Sequence, residues 1–380
     1  MRLSDLSVRD WRNAQAVELP LDSDLVVLWG ANGAGKTNLL EALAVLCTWR
    51  SFRATSWDQV LRRGARQAAV GGLTVSDLGS ARLGLLLAAG AGGGVERQAR
   101  LDGVVVREAG PWFARLRAVT FTPDDIQIVR GGPESRRRFL DRAAFNAWPS
   151  HLEHVREFRR ILSQKAALLR SGRVRPAELE AWNERLAPAG AQVVLGRRRL
   201  AWALEDPLGE VHAELSGGGA ASLAYRSALL AGHGGADAAA QGIELRFLEL
   251  LAGVRAEEVR RGQCLVGPQR DDLELILGEP HGPAVPARTF GSQGQVRTLA
   301  LALKLAELSV AGAGGDPPLL LVDDLSSELD AERLARLVRR IEALRSQVVV
   351  TTTDPRPVLA CSRRGGQAVE IRSGTVASAV

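Results

Sequence analysis

Gly30-Ala31-Asn32-Gly33-Ala34-Gly35-Lys36-Thr37 (GANGAGKT) is the stretch on which the reading of the fold turns. It satisfies G-x-x-x-x-G-K-[ST] and lies between a continuous apolar run, 25–29, and Leu39, Leu40, Ala42, Leu43 and Leu46 at helical spacing. Strand, glycine-rich loop and amphipathic helix form the context in which this pattern grips phosphate. The glycines let the backbone wrap so closely that successive N–H groups and the helix N-terminus face anionic oxygens. Gly30 to Thr37, with Asn38, is therefore expected to bind ATP, with Lys36 on the β- and γ-phosphates and the Thr37 hydroxyl on Mg²⁺.

Such a loop needs a second, acidic strand end to hold the metal and position water. Leu319, Leu320, Leu321 and Val322 run straight into Asp323 and Asp324. Four apolar residues fit a central parallel strand, whose C-terminal end is where ligands gather in α/β sheets. Asp323 is then the Mg²⁺ ligand, and Asp324, with Lys36, the catalytic pair. The competing reading of the two acids is a pair of helix caps. Residues 290–297 read FGSQGQVR and open a helix, so Ser292 and the backbone of Gly294 form a second phosphate-binding feature. An ordinary helix cap is again the alternative.

Around these motifs, 68–107 breaks into β-type stretches divided by glycines, and 118–121 reads as a further strand. From Pro123 to about residue 214 the texture is helical, with long helices centred on 157–169 and 177–204. Strands are expected at 222–230, 264–266, 273–277, 285–289, 319–322 and 347–352, and helices at 36–49, 293–308 and 331–344.

The 380 residues include 49 basic and 43 acidic side chains, and lysine occurs only at Lys36, Lys165 and Lys304. A lysine that persists among so many arginines marks a place where a compact ammonium matters; Lys165 and Lys304 lack an evident reason, and Lys165 reads as a solvated charge. Between Arg136 and Arg199, fourteen Arg and Lys165 face six acids, a net of +9. That block is either an electrostatic footprint for a polyanion or a solvated helical face. No uncharged apolar run is long enough to span a bilayer. Charges at Arg2, Asp5, Arg9, Asp10 and Arg12 break up any signal peptide, so a cytoplasmic location and no membrane partner are expected. Cys47, Cys264 and Cys361 are far apart and read as buried thiols.

These residues resemble the ABC-type ATPases and, within them, the SMC-like branch of DNA-repair ATPases; the chain is similar to the bacterial RecF family. The resemblance runs from end to end, through 8–13 (VRDWRN), 30–42 (GANGAGKTNLLEA), 121–125 (FTPDD), 131–141 (GGPESRRRFLD), 267–272 (GPQRDD), 292–297 (SQGQVR) and 323–330 (DDLSSELD). It implies an α/β fold: an ABC-type ATPase head with a P-loop, a mixed sheet and an antiparallel β region, carrying an inserted, mainly helical second lobe. The head is placed at 1–122 and 263–380, and the lobe at 123–262. It further implies a head-to-tail homodimer, closed by ATP, in which Ser292, Gly294 and Gln295 cap the partner's nucleotide and Ser327 to Asp330 cross the seam. Arg12 is implied to approach the nucleotide.

Four features depart from these patterns. Asp324 stands where wider ABC proteins have glutamate, which implies slow hydrolysis. Thr351 to Thr353 replace the usual switch histidine, and a hydroxyl there can reach the γ-phosphate. Gln127 is a Q-loop candidate by position only, and Gln269 stands where the family more often has histidine. The resemblance implies a weak, DNA-dependent ATPase that binds double-stranded and gapped DNA and, with RecO and RecR, promotes RecA loading. The alternatives are an ATPase energising a transporter and an ABC-head nuclease using Asp271 and Asp272.

Overall fold

The computed structural model describes residues 1–90, 92–231, 240–278, 283–325 and 331–379. The chain divides into two compact units. The first comprises Met1–Asp125, Glu214–Gly217 and Leu301–Val380, and the second Ile126–Ala213 and Gly218–Ala300.

The first unit is built on a six-stranded sheet. From one edge its order is Thr375–Ala379, Gln367–Arg372, Leu25–Trp29, Val348–Thr352, Leu319–Val322 and Ala118–Phe121. All neighbours are parallel except the first pair. Leu319–Val322 is buried at every position, as is Val348–Thr352, which is why these strands read as unbroken apolar runs. A second, antiparallel sheet includes Asp5–Trp11, Gln67–Ser76, Gly79–Ala89 and Val95–Leu101. There the burial alternates: Ala81, Leu83, Leu85 and Leu87 point inward, and the residues between them do not. The helix Lys36–Thr48 packs against strands of both sheets. It is consequently buried on nearly every side, from Leu39 to Cys47, and not along the single stripe its sequence suggests.

The second unit is mainly helical. Pro133–Ala147, His151–Arg170, Pro176–Ser216 and Ala240–Arg261 are its long helices, the third continuing into the first unit at Glu214. Its core joins Phe158, Ile161, Leu186, Val194, Phe247 and Leu251. Beside them lies a three-stranded sheet, Ala220–Arg226, Asp272–Gly278 and Val285–Pro286.

The expected strands differ from the structure in this unit. No strand forms at 264–266; instead the Leu265 N–H donates to Glu258 Oε1 at 2.8 Å, closing a turn. The strand at 285–289 stops after Pro286, where the short helix Ala287–Phe290 begins. The strand at 222–230 ends at Arg226, because Ser227 caps a 3₁₀ turn over Ala228–Leu230. Residues 263–300, assigned in sequence to the head, group with the second unit because Asp272–Gly278 pairs along its length with Ala220–Arg226.

Candidate nucleotide site

The loop Gly30–Gly35 connects the strand Leu25–Trp29 to the helix Lys36–Thr48. Gly30 has φ 147° and Gly35 φ 109°, both in the region that favours glycine. A Cβ on Gly30 would lie 2.4 Å from the Ile371 carbonyl oxygen, and one on Gly35 2.8 Å from the Asn13 amide, so both positions are fixed by close approach as well. Lys36 Nζ donates to the carbonyls of Gly30 and Ala31 at 2.8 and 3.0 Å, folding the loop around the ammonium. Burial pulls the Lys36 pKa below its usual value, while Asp324 and Asp323 oppose that shift. The ammonium is thus held near two carboxylates and directed at the centre of the loop.

Asp323 joins three segments. Its Oδ1 accepts a hydrogen bond from Thr37 Oγ1 at 2.8 Å and another from Thr351 Oγ1 at 2.7 Å. The sheet order explains the meeting: the strand that carries Thr351 lies between the strand before the loop and the strand before Asp323. Thr351 Oγ1 also accepts the Asp324 N–H at 2.8 Å. In the switch position, the Thr351 hydroxyl thus directs its proton at Asp323. Asp324 has φ 53°, a left-handed conformation uncommon for a residue with a side chain. Its N–H bond to Thr351 holds that turn. Hydroxyl and carboxylate oxygens are the donor set a hard divalent cation prefers, so Thr37 and Asp323 fit Mg²⁺.

Glu41, which the sequence reading missed, organises the next layer. It is fully buried and accepts from Arg12 Nε at 2.8 Å, Arg12 Nη2 at 2.7 Å and Arg53 Nη2 at 3.1 Å. Burial alone would raise its pKa, yet Arg12, Ser51 and Arg53 hold the carboxyl below the usual range. Arg12 was implied to approach the nucleotide; the structure binds its guanidinium to Glu41. Its neighbour Asn13 reaches the loop, donating to the Ala34 carbonyl at 3.4 Å and accepting from Asn38 Nδ2 at 2.5 Å. The signal for Glu41 was its place on the helix after GKT, where a buried acid needs a cation.

In the second unit, Ser292 and Gln295 form a reciprocal cap. The Gln295 N–H donates to Ser292 Oγ at 3.2 Å, and the Ser292 N–H to Gln295 Oε1 at 2.8 Å. Both side chains are exposed, and the Ser292 hydroxyl keeps its own proton for a ligand. Arg130 secures the approach by donating to the carbonyls of Arg288, at 3.0 Å, and Gly291. Gln127 lies exposed on the short helix Ile126–Arg130 of this unit. Ser327 to Asp330 lie outside the described residues.

The GGPESRRRFLD and GPQRDD motifs meet inside the second unit. Arg136 grips Asp272 with two bonds of 2.6 and 2.9 Å, and Arg197 grips Asp141 with two of 2.8 and 3.1 Å. Arg197 Nη1 also donates to the Pro268 carbonyl at 2.7 Å, and Tyr225 donates its hydroxyl proton to Asp271. Burial raises the Asp271 pKa to about 6, against Arg197 and Tyr225. Asp141 moves the other way: burial is overcome by His151 and Arg197, which hold it well below the carboxylate range. Asp271 and Asp272 are therefore taken up by cations and a phenol, which removes them as nuclease metal ligands. Gln269 turns inward to the Val266 carbonyl at 2.7 Å.

Lys165 is not a solvated charge. It is fully buried, with Nζ 2.6 Å from Glu258 Oε2. Lys304 is buried as well, 2.5 Å from Glu307, so all three lysines lie inside the protein. The +9 block is correspondingly smaller at the surface, because Arg136, Arg197 and Arg198 are buried with Lys165. Ten of its arginines remain exposed. No helix among the described residues is long and apolar enough to cross a membrane.

Residues 152–356 match the family described as AAA domain, putative AbiEii toxin, Type IV TA system. The whole chain is similar to a structure of the recombination mediator protein RecF-ATP in the RecFOR pathway, with TM-score 0.86 and 25% identity over 100% of this chain and 99% of the other. It shares its fold with an Smc head domain from Pyrococcus furiosus, at TM-score 0.58 and 16% identity over 100% and 95% of the two chains. Sheet, loop and likeness together define the class as an ABC-type ATPase of the SMC-like branch. The chain is 41% identical to the DNA replication and repair protein RecF of Anaeromyxobacter dehalogenans, strain 2CP-1, over 100% of both chains. It is 40% identical to that of Geobacter sulfurreducens over 93% of each. The chain belongs to the RecF family of DNA replication and repair proteins.

Proposed function

We propose that the protein is an ATP-operated DNA clamp. ATP bound to Gly30–Thr37 and Asn38 of one subunit is capped by Ser292, Gly294 and Gln295 of a second copy, so nucleotide favours a closed homodimer. Closure gathers exposed arginines of the two helical lobes, residues 123–262, on double-stranded or gapped DNA, and slow hydrolysis reopens the dimer. With RecO and RecR, the closed form promotes RecA loading at single-strand gaps in the cytoplasm. The driving energy is differential binding, because the nucleotide meets both sets of residues only in the closed state.

The observation that carries this reading is the convergence of the Thr37 and Thr351 hydroxyls on one carboxylate oxygen of Asp323. Thr37 and Asp323 would hold Mg²⁺, which supplies charge neutralisation to the phosphate oxygens. Lys36 balances the remaining phosphate charge, and Asp324 orients and polarises the attacking water. The aspartate carboxylate is one methylene shorter than a glutamate, which costs positioning and makes turnover slow. Contacts from arginine to DNA phosphate are sequence-independent and weaken with salt.

Sedimentation with and without ATP, in the presence of gapped DNA and across a salt series, tests the proposal. ATP should convert monomer to dimer, and the dimer alone should bind DNA in a salt-sensitive manner. A chain that stays monomeric with ATP and ignores DNA would end the clamp reading.

A further inference from the structure

A groove of about 670 Å³ opens on the second unit and uses none of the residues assigned to nucleotide. One wall is a single face of the helix Pro176–Ser216, presenting Arg198, Ala201, Trp202 and Glu205 at helical spacing. The other wall includes Leu223, Ala224, Tyr225 and Arg226, four consecutive residues of the strand Ala220–Arg226. Side chains of consecutive strand residues point to opposite faces. Four in a row can line one groove only where it runs along the strand's edge. Among the described residues that strand is the outer one of its sheet, paired on one side with Asp272–Gly278. An outer strand offers N–H and C=O groups to an added chain.

The charges of the groove are unbalanced. Arg198 is 8% exposed, and its buried Nη1 has no hydrogen-bond partner among the described residues. Its guanidinium stacks over Trp202, 4.7 Å from the ring centroid, and Trp202 remains 48% exposed. Arg270, on the rim, is exposed and donates to the Cys264 carbonyl at 3.2 Å. The other charges are mostly spent: Arg226 pairs with Glu274 at 2.8 Å, and Asp272 with Arg136. A buried cation without an anion is costly, and a carboxylate placed on it recovers that cost.

We propose that this groove binds an acidic peptide segment of a partner protein, laid as an added strand along Ala220–Arg226. Main-chain hydrogen bonds supply the affinity, and alternate side chains enter the groove. One of them places its carboxylate on Arg198, with Arg270 beside it. Nucleic acid fits the groove less well, because a strand edge gives a phosphodiester chain no matching ladder of donors and acceptors.

The test uses the full-length protein and a fluorescently labelled, alternating aspartate–valine decapeptide, followed by anisotropy. A lysine–valine decapeptide and a ten-thymidine single strand run beside it. The acidic peptide should bind and weaken with added salt, and Arg198→Gln should cost about tenfold in affinity. Arg270→Gln, at an exposed side chain, should cost severalfold. Methylating one alternate set of peptide nitrogens should abolish binding, whereas methylating the other set should leave it intact; this comparison leaves the protein unchanged. Binding no tighter than that of the lysine peptide, equal tolerance of both methylated peptides, or preferred binding of the thymidine strand through Arg198 would each overturn the proposal.

Discussion

The nucleotide corner and the arginine-rich interior of the second unit are both assembled from recognisable sequence motifs, yet they use charge in opposite ways. In the corner, Lys36 lies on backbone carbonyls and Asp323 on two hydroxyls, so neither is neutralised by a direct ion pair. In the interior, Arg136 and Arg197 each spend a guanidinium fork on one carboxylate, Asp272 and Asp141. The first arrangement keeps charge ready for a ligand, and the second consumes it to join the helices Pro133–Ala147 and Pro176–Ser216 to the turn before Asp272–Gly278. A specific motif therefore does not by itself indicate a binding site.

The contrast breaks most visibly at Arg197. Arg197→Ala leaves Asp141 and Asp271 buried with their main cation gone, and should destabilise the protein by about 3–5 kcal/mol in chemical unfolding. At temperatures where the variant is folded, its ATP affinity should match the parent's. Next in size, Lys36→Ala should weaken ATP by about a hundredfold or more in titration calorimetry, with unfolding changed by about 1 kcal/mol at most. If either variant shows the other's signature, the division between ligand charge and structural charge fails.

A smaller effect sharpens the comparison inside the corner. Thr351→Val keeps the shape but removes a donor to Asp323 and the acceptor of the Asp324 N–H. Leaving buried polar groups unpaired costs about 1–3 kcal/mol. Single-turnover hydrolysis should therefore slow by about tenfold to a hundredfold while ATP affinity changes little. Thr351→Ser should restore most of the rate, and an unchanged rate in Thr351→Val would remove the threonine from the catalytic geometry.

What the sequence disclosed follows the same division. The loop, its helix and the strand before Asp323 were legible because each combines short-range pattern with unusual chemistry: glycines at fixed offsets and a lysine among arginines. Glu41, Arg130 and the hydroxyl of Thr351 were not, because their partners are remote in sequence. Arg12 is bound to Glu41 across 29 positions, and Thr351 to Asp323 across 28. Lys165 was misread for the same reason: its partner Glu258 lies on another helix, so local polarity gave no sign of burial. The end of the strand at Arg226 depended on the Ser227 cap, and the place of residues 263–300 on strand pairing; neither is expressed in composition.

The finest test concerns whether the interior network is fully ionised. Asp271 has its pKa raised from 3.8 to about 6, because burial outweighs Arg197 and the Tyr225 hydroxyl. A carboxyl that holds its proton more tightly when folded contributes stability that is fully present below its unfolded value and is lost as pH rises through its folded one. Asp141 is shifted downward, so its contribution falls away only in more acidic solution. Between about pH 5 and pH 6 the two therefore separate, and Asp271 alone should erode stability, by about 1 kcal/mol. Asp271→Asn keeps an oxygen acceptor for Tyr225 but cannot titrate, so its unfolding free energy should fall less than the parent's over that interval. Parallel slopes would mean that Asp271 stays charged beside Arg197, and the interior would then be a wholly ionic network rather than one holding a proton in reserve.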